Sequence, residues 1–167
     1  MRMIGHVNDF VYENAPIIKI RNTSRGFIIK DDKIALIHVV GEDDFGKRDH
    51  YETPGGGVED EDFVSCLRRE IIEELGYEID DISEVGIVSN NYYLLNRCDV
   101  AHYFVAHATK YVGNHYTDLE KTLFKEVIWV PIKEIFDFYQ KNDSKNVGLI
   151  IHKRDMMALK ELLNKFW

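Results

Sequence analysis

Apolar residues along the chain change period several times, and each change marks an element. Residues 17–40, "IIKIRNTSRGFIIKDDKIALIHVV", alternate β-branched runs around Asp31-Asp32-Lys33. This predicts strands near 25–30 and 34–40 joined by a tight turn. Residues 41–50, "GEDDFGKRDH", are polar and punctuated by glycine, so a loop is expected there, with a short strand at Tyr51 to Thr53. From about Asp62 to Leu75, Val64, Leu67, Ile71 and Leu75 recur at spacings of three and four, one apolar stripe of a helix. Gly76 stands where a C-terminal cap belongs. "EVGIVSNNYYLL" and "DVAHYFVAHAT" read as two longer strands, and "VIWV" at 127–130 as another, stopped by Pro131. "IKEIFDFY" reads as a short helix and the stretch at about 147–166 as a longer terminal one. Strands and helices interleave without strict βαβ alternation, which predicts an α/β (α+β) mixed sheet with helices packed on it.

The bulk numbers narrow the class. A chain of 167 residues, 45% hydrophobic, buries one substantial core, so residues 1–167 are expected to form a single domain. The formal charge of −8 argues against nucleic acid as a partner, since that surface needs a basic stripe. It also makes an anionic substrate awkward unless a cation mediates. Cys66 and Cys98 form no disulfide framework and read as two reduced thiols. No apolar run reaches membrane-spanning length, and "MRMIGHVNDF" lacks the apolar centre of a signal peptide. No membrane partner and a cytoplasmic location are the expectation. The seven histidines include no pair in the H-E-x-x-H pattern, which disfavours zinc.

The chemistry concentrates in "PGGGVEDEDFVSCLRREIIEELG", residues 54–76. Glu70, Glu73 and Glu74 stand at i, i+3 and i+4, so their side chains share one helix face beside the apolar stripe. Like charges at this spacing cost only a few tenths of a kcal/mol, so a solvated acidic face would also explain them. The adjoining glycines shift the balance, because Pro54-Gly55-Gly56-Gly57 offers bare backbone carbonyls and N–H groups at close range. Carboxylates plus a backbone carbonyl form an all-oxygen donor set, which suits a hard cation such as Mg²⁺. Such an ion could hold a diphosphate despite the acidic chain around it.

These residues resemble the box of the Nudix hydrolases, G-x5-E-x7-R-E-U-x-E-E-x-G-U, where U is bulky and apolar. The chain has Gly55, five residues, Glu61, seven residues, then Arg69-Glu70-Ile71-Ile72-Glu73-Glu74-Leu75-Gly76-Tyr77, with only the last position relaxed. In many family members the spacing after the glycines would instead place Asp62 at the first acid, so Glu61 and Asp62 both remain candidates. "SRGFIIKDDKIALIHV", "YETPGGGVE" and "VIWVPIKEI" extend the resemblance over most of the chain. It implies an α/β/α sandwich around a mixed sheet.

The resemblance further implies that Glu70 and Glu74, with Glu73, hold one or more Mg²⁺ ions, with Mn²⁺ as a substitute and a Gly55 or Gly56 carbonyl completing the shell. Arg69 then orients the carboxylates, and Gly76 caps the helix. The catalytic base is a box glutamate, Glu70 or Glu73, or a later acid, Asp118, Glu120 or Glu126, with Glu120 preferred because a mobile loop could swing it over the metals. Arg25, Arg48 and Arg97 are candidate phosphate or ribose contacts, and Tyr92, Tyr93 and Tyr103 could stack a base. The implied partner is a small nucleoside diphosphate derivative, and the implied reaction is hydrolysis of its diphosphate. ADP-ribose, a dinucleoside polyphosphate, an oxidised nucleoside triphosphate and a sugar nucleotide all fit. A rival reading is a nucleotide-sensing Nudix domain without catalysis, which the intact carboxylates disfavour. An isoprenoid-diphosphate isomerase would need a suitably placed catalytic cysteine, which neither Cys66 nor Cys98 clearly provides. The terminal helix could cover a homodimer interface, although packing on its own domain is the simpler expectation.

Overall fold

The computed structural model describes residues 1–142 and 144–167. Its strands are β1 (Met3–Val7), β2 (Lys19–Lys30), β3 (Lys33–Asp43), β4 (Gly46–Glu52), β5 (Gly55–Gly57), β6 (Tyr77–Tyr92), β7 (Arg97–Tyr111) and β8 (Phe124–Pro131). The helices are α1 (Phe63–Leu75), α2 (Asp118–Leu123), α3 (Ile135–Lys141) and α4 (Val147–Phe166). All strands join one mixed sheet: β1 pairs β6 and β2 pairs β7 in parallel, and the other pairings are antiparallel.

The near-continuous apolar runs of β2 and β3 are explained by burial on both faces. Phe27, Ile29, Ile34 and Leu36 point to one side, into a core closed by Ile150, Ala158, Leu159 and Leu162 of α4. Ile28, Ala35 and Ile37 point to the other, against Leu67, Ile71 and Leu75 of α1. The result is a sheet between helical layers. The turn between β2 and β3 places Asp31 and Asp32 at positive φ (51° and 56°), the geometry of a tight two-residue hairpin.

One feature of the sheet makes the site. β2 and β3 pair with each other only at Ile29↔Ile34 and Lys30↔Lys33. Past that point β5 pairs with Thr23 to Arg25 of β2, while β4 pairs with Ile37 to Asp43 of β3. β8 lies along the opposite edge of β3, so β4 and β5 occupy the fork between the diverging strands.

The expected loop at 41–50 is instead the end of β3 and most of β4, in register from Ile37↔Glu52 to Asp43↔Gly46. A ladder is made by backbone groups, and polar side chains are compatible with it where the hairpin projects into solvent. β1, β5 and α2 are short elements whose periods are too brief to register in the sequence pattern. No described helix is long and apolar enough to cross a membrane.

Candidate active site

α1 is set by its ends. Asp62 precedes it and its Oδ1 accepts from the N–H groups of Val64 (2.9 Å) and Ser65 (3.0 Å), while Gly76 closes it at φ 75°. Leu67 and Ile71 are completely buried and Leu75 nearly so, although Val64 at the start of the stripe is exposed. Burying that stripe turns Glu70 and Glu74 toward β5, where they are 7% and 2% exposed.

The glycines follow from this approach. Gly55 has φ 134°, and a Cβ there would lie 2.1 Å from the Ser24 carbonyl oxygen on β2. At Gly56 a Cβ would lie 2.3 Å from Oε1 of Glu70. Only bare backbone fits between β2 and the carboxylates. The Gly55 N–H donates to Oε2 of Glu74 at 2.7 Å.

Burial raises the pKa of Glu74 well above the carboxylate range, and the nearby Glu70 charge adds to the rise. Glu70 is raised as well, first by burial and against the pull of Arg69. Arg69 holds the surrounding acids in place: its guanidinium donates to Glu61 (2.6 Å), Glu70 (2.7 Å), Glu73 (3.3 Å) and the Gly57 carbonyl (3.1 Å). This contact separates the two candidates for the first acid. Glu61 faces Arg69, which lowers its pKa through hydrogen bonding, whereas Asp62 is consumed by capping.

Carboxylate oxygens of Glu70, Glu74 and Glu120 lie within 4.8 Å of one another. Glu73 stands outside this group, on the Arg69 side of the helix. Glu120 comes from α2, not from an irregular loop. It forms a capping box with Thr117, whose N–H donates to Glu120 Oε2 at 2.7 Å. Glu126 lies on β8, 3.5 Å from His38 Nδ1 and half-exposed. The three clustered carboxylates fit a divalent cation: the donors are hard oxygens, and the buried pair carries repulsion and desolvation that a cation would offset.

Of the residues expected to meet substrate, Arg25 is buried on β2, donates to the Thr53 carbonyl at 2.6 Å and stands 3.7 Å from Glu52. Arg48 on β4 is paired with Asp43 at 2.6 Å. Both line a cavity of about 300 Å³ together with Gly55, Glu70, Glu74 and Glu120. Tyr92 is buried, with the Arg97 guanidinium 5.7 Å from its ring centre and the Phe45 ring at its edge, which leaves little face for a base. Tyr103 is buried and donates to Asp155.

The sequence reading missed Glu52, Arg21, Asp99 and the Arg154–Asp155 pair. Glu52 is 9% exposed; burial pushes its pKa up, but Arg25 and His50 more than reverse this and hold it far below the usual range. Asp155, on α4, is fully buried and accepts from the Thr53 N–H at 2.8 Å and Arg154 Nε at 2.8 Å. A charged pair inside an otherwise apolar helix stripe was the one available signal.

A NUDIX domain family model matches residues 20–149. No curated protein matches the chain significantly. Among solved structures, a NUDIX hydrolase from Nitrosomonas europaea superposes with a TM-score of 0.64 at 19% identity, over 86% of this chain and 88% of that one. A MutT NUDIX hydrolase from Burkholderia pseudomallei gives 0.58 at 21% identity, over 81% and 97%. A protein described as an ADP compounds hydrolase gives 0.56 at 17% identity, over 84% and 74%. The matched span takes in the forked sheet, the glycines, α1 and α2, and the chain is a member of the NUDIX family.

Proposed function

We propose that the chain hydrolyses the diphosphate of a nucleoside diphosphate linked to a second moiety X, with Mg²⁺ as cofactor and Mn²⁺ as substitute. The observation that carries this reading is the convergence of Glu70, Glu74 and Glu120 within 4.8 Å, beside backbone that only glycine can supply. A bound divalent cation would polarise the phosphoryl oxygens and ease ionisation of the attacking water. Glu70 and Glu74 hold the cation, and Glu120, reaching in from α2, accepts the proton of the water that attacks phosphorus. The phosphoanhydride P–O bond breaks, and the bridging oxygen leaves with the second phosphate, giving a phosphomonoester and a second phosphate-bearing product.

Arg69 positions Glu61, Glu70 and Glu73, and Gly76 ends the helix that carries them. A Gly55 carbonyl is the proposed backbone ligand. Arg25 and Arg48, on the cavity wall, contact the substrate phosphates, and Tyr92 supports that wall beneath Arg97. Residues 1–167 act as one unit in this reading, because α4 packs into the same core as the matched span. The relative described as an ADP compounds hydrolase favours an adenine nucleotide among the substrates to test first.

The deciding assay is product release from a panel of nucleoside diphosphate derivatives, with products identified by mass. Release with Mg²⁺ or Mn²⁺, its loss in EDTA and a rise from neutral to mildly alkaline pH are expected, since the ligands must be ionised. Full activity in excess EDTA would refute the metal assignment, and no release from any member would refute the reaction.

A further inference from the structure

Directly beside the carboxylate cluster, an acidic chain gathers arginines. A cavity of about 140 Å³ is lined by Arg21, Arg25, Arg48, Arg97 and Arg154, and it shares Arg21, Arg25, Arg48 and Glu52 with the larger cavity over Glu70 and Glu74. The strands explain the convergence. Arg21 and Arg25 lie on one face of β2, four positions apart, and β7 aligns beside β2 with Arg21 opposite Asp99.

The acids facing these arginines do not use up their donors. Arg25 stands 3.7 Å from Glu52, Arg48 2.6 Å from Asp43, and Arg154 2.8 Å from Asp155. Asp99 holds Arg97 through both Nε (2.5 Å) and Nη2 (3.1 Å), and among the described residues Arg21, 3.9 Å from Asp99, keeps its donors free for a ligand. Nε of Arg25 and Nε of Arg48 are buried without a hydrogen-bond partner among the described residues, and Arg25 is just 9% exposed. Buried donors are nearly always satisfied, so these two have capacity for an acceptor entering the cleft. A guanidinium fork matches phosphate oxygens two at a time. The cavity is far smaller than the roughly 300–1,000 Å³ of sites for drug-sized ligands, so it suits an anionic group and not a nucleoside.

We propose that this arginine cleft receives a further phosphate of the substrate, beyond the scissile diphosphate held at the carboxylates. The inference rests on the proposed diphosphate hydrolysis and narrows its substrate class to molecules with at least one additional phosphate. That phosphate comes either from a longer polyphosphate chain or from a phosphorylated sugar.

Two matched substrate pairs separate these sources. Diadenosine tetraphosphate against diadenosine diphosphate varies the chain, and NADPH against NADH varies a sugar phosphate. The phosphate-rich member of at least one pair should have kcat/KM higher by roughly tenfold or more, the effect of one hydrogen bond to a charged group. Arg21→Gln, at a half-exposed position, should shrink that ratio mainly through KM. Calorimetry with inorganic tripolyphosphate on EDTA-treated protein reads the cleft without turnover. Wild-type protein should bind it, and Arg21→Gln should bind it about tenfold more weakly. Equal kcat/KM within both pairs, or identical tripolyphosphate binding by wild type and Arg21→Gln, overturns the proposal. If no substrate is hydrolysed, the proposed reaction fails, and the tripolyphosphate arm still decides whether the cleft takes phosphate.

Discussion

Glu74→Gln separates the metal-holding role of this residue from its place in the fold. The side chain is 2% exposed and accepts the Gly55 N–H at 2.7 Å, a bond that the glutamine oxygen can keep. Exchanging a charged acceptor for a neutral one costs about 1 kcal/mol. Relief of burial and of repulsion from Glu70 returns an amount of the same order, so metal-free Tm should move by less than about 3 °C. The pH response supplies a sign. Because the folded pKa of Glu74 is raised, metal-free wild type is most stable with Glu74 protonated and loses stability as pH rises from the ordinary value of 4.5 through the folded value. The variant should lack that loss. With Mg²⁺ at about 100 times Kd, wild type should gain about 2.7 kcal/mol, or about 5–11 °C in Tm for a chain of this size. The variant should gain almost nothing, and turnover should fall by at least about 100-fold, the upper range for disturbing a mere support of a ligand. Thermal melts in EDTA and in a Mg²⁺ series, with turnover on the same samples, measure all three. A variant that keeps the wild-type Mg²⁺ shift and turnover would show that Glu74 holds no metal.

The remaining expectations concern the base, the positioning arginine and the buried network. Glu120→Gln should lower kcat by roughly 10²–10⁴-fold while Mg²⁺ still raises Tm, and Glu126→Gln, beside His38, should cost less than about threefold; the reverse order in steady-state kinetics would move the base to β8. Arg69→Lys keeps the charge but cannot span Glu61, Glu70 and Glu73, so Mg²⁺ affinity should weaken about 10–100-fold, and an unchanged Mg²⁺ titration would remove Arg69 from the site. Asp155→Asn leaves Arg154 buried without its counter-charge and should destabilise the protein by about 3–5 kcal/mol; a denaturation midpoint within error of wild type would contradict the buried ion pair.

α1 and its C-terminal cap are legible in the sequence alone. A thirteen-residue helix with a periodic stripe, a capping acid and a terminal glycine is a local object, and its signals lie within one window. The strand pair around Asp31-Asp32 and the terminal helix at 147–166 were legible for the same reason. The resemblance of the box then pointed to a cation and a phosphoanhydride. Tertiary structure decided what depends on contacts between distant residues. Glu61 and Asp62 are adjacent and chemically alike, and only the placement of Arg69 against one and the helix N–H groups against the other tells them apart. Glu120 is 46 residues beyond Glu74, and only the packing of α2 against β3 and β8 brings their carboxylates together. The arginines of the cleft come from β2, β4, β7 and α4, so no window contains them; strand divergence and sheet register assemble that charge, and neither is written in a local pattern.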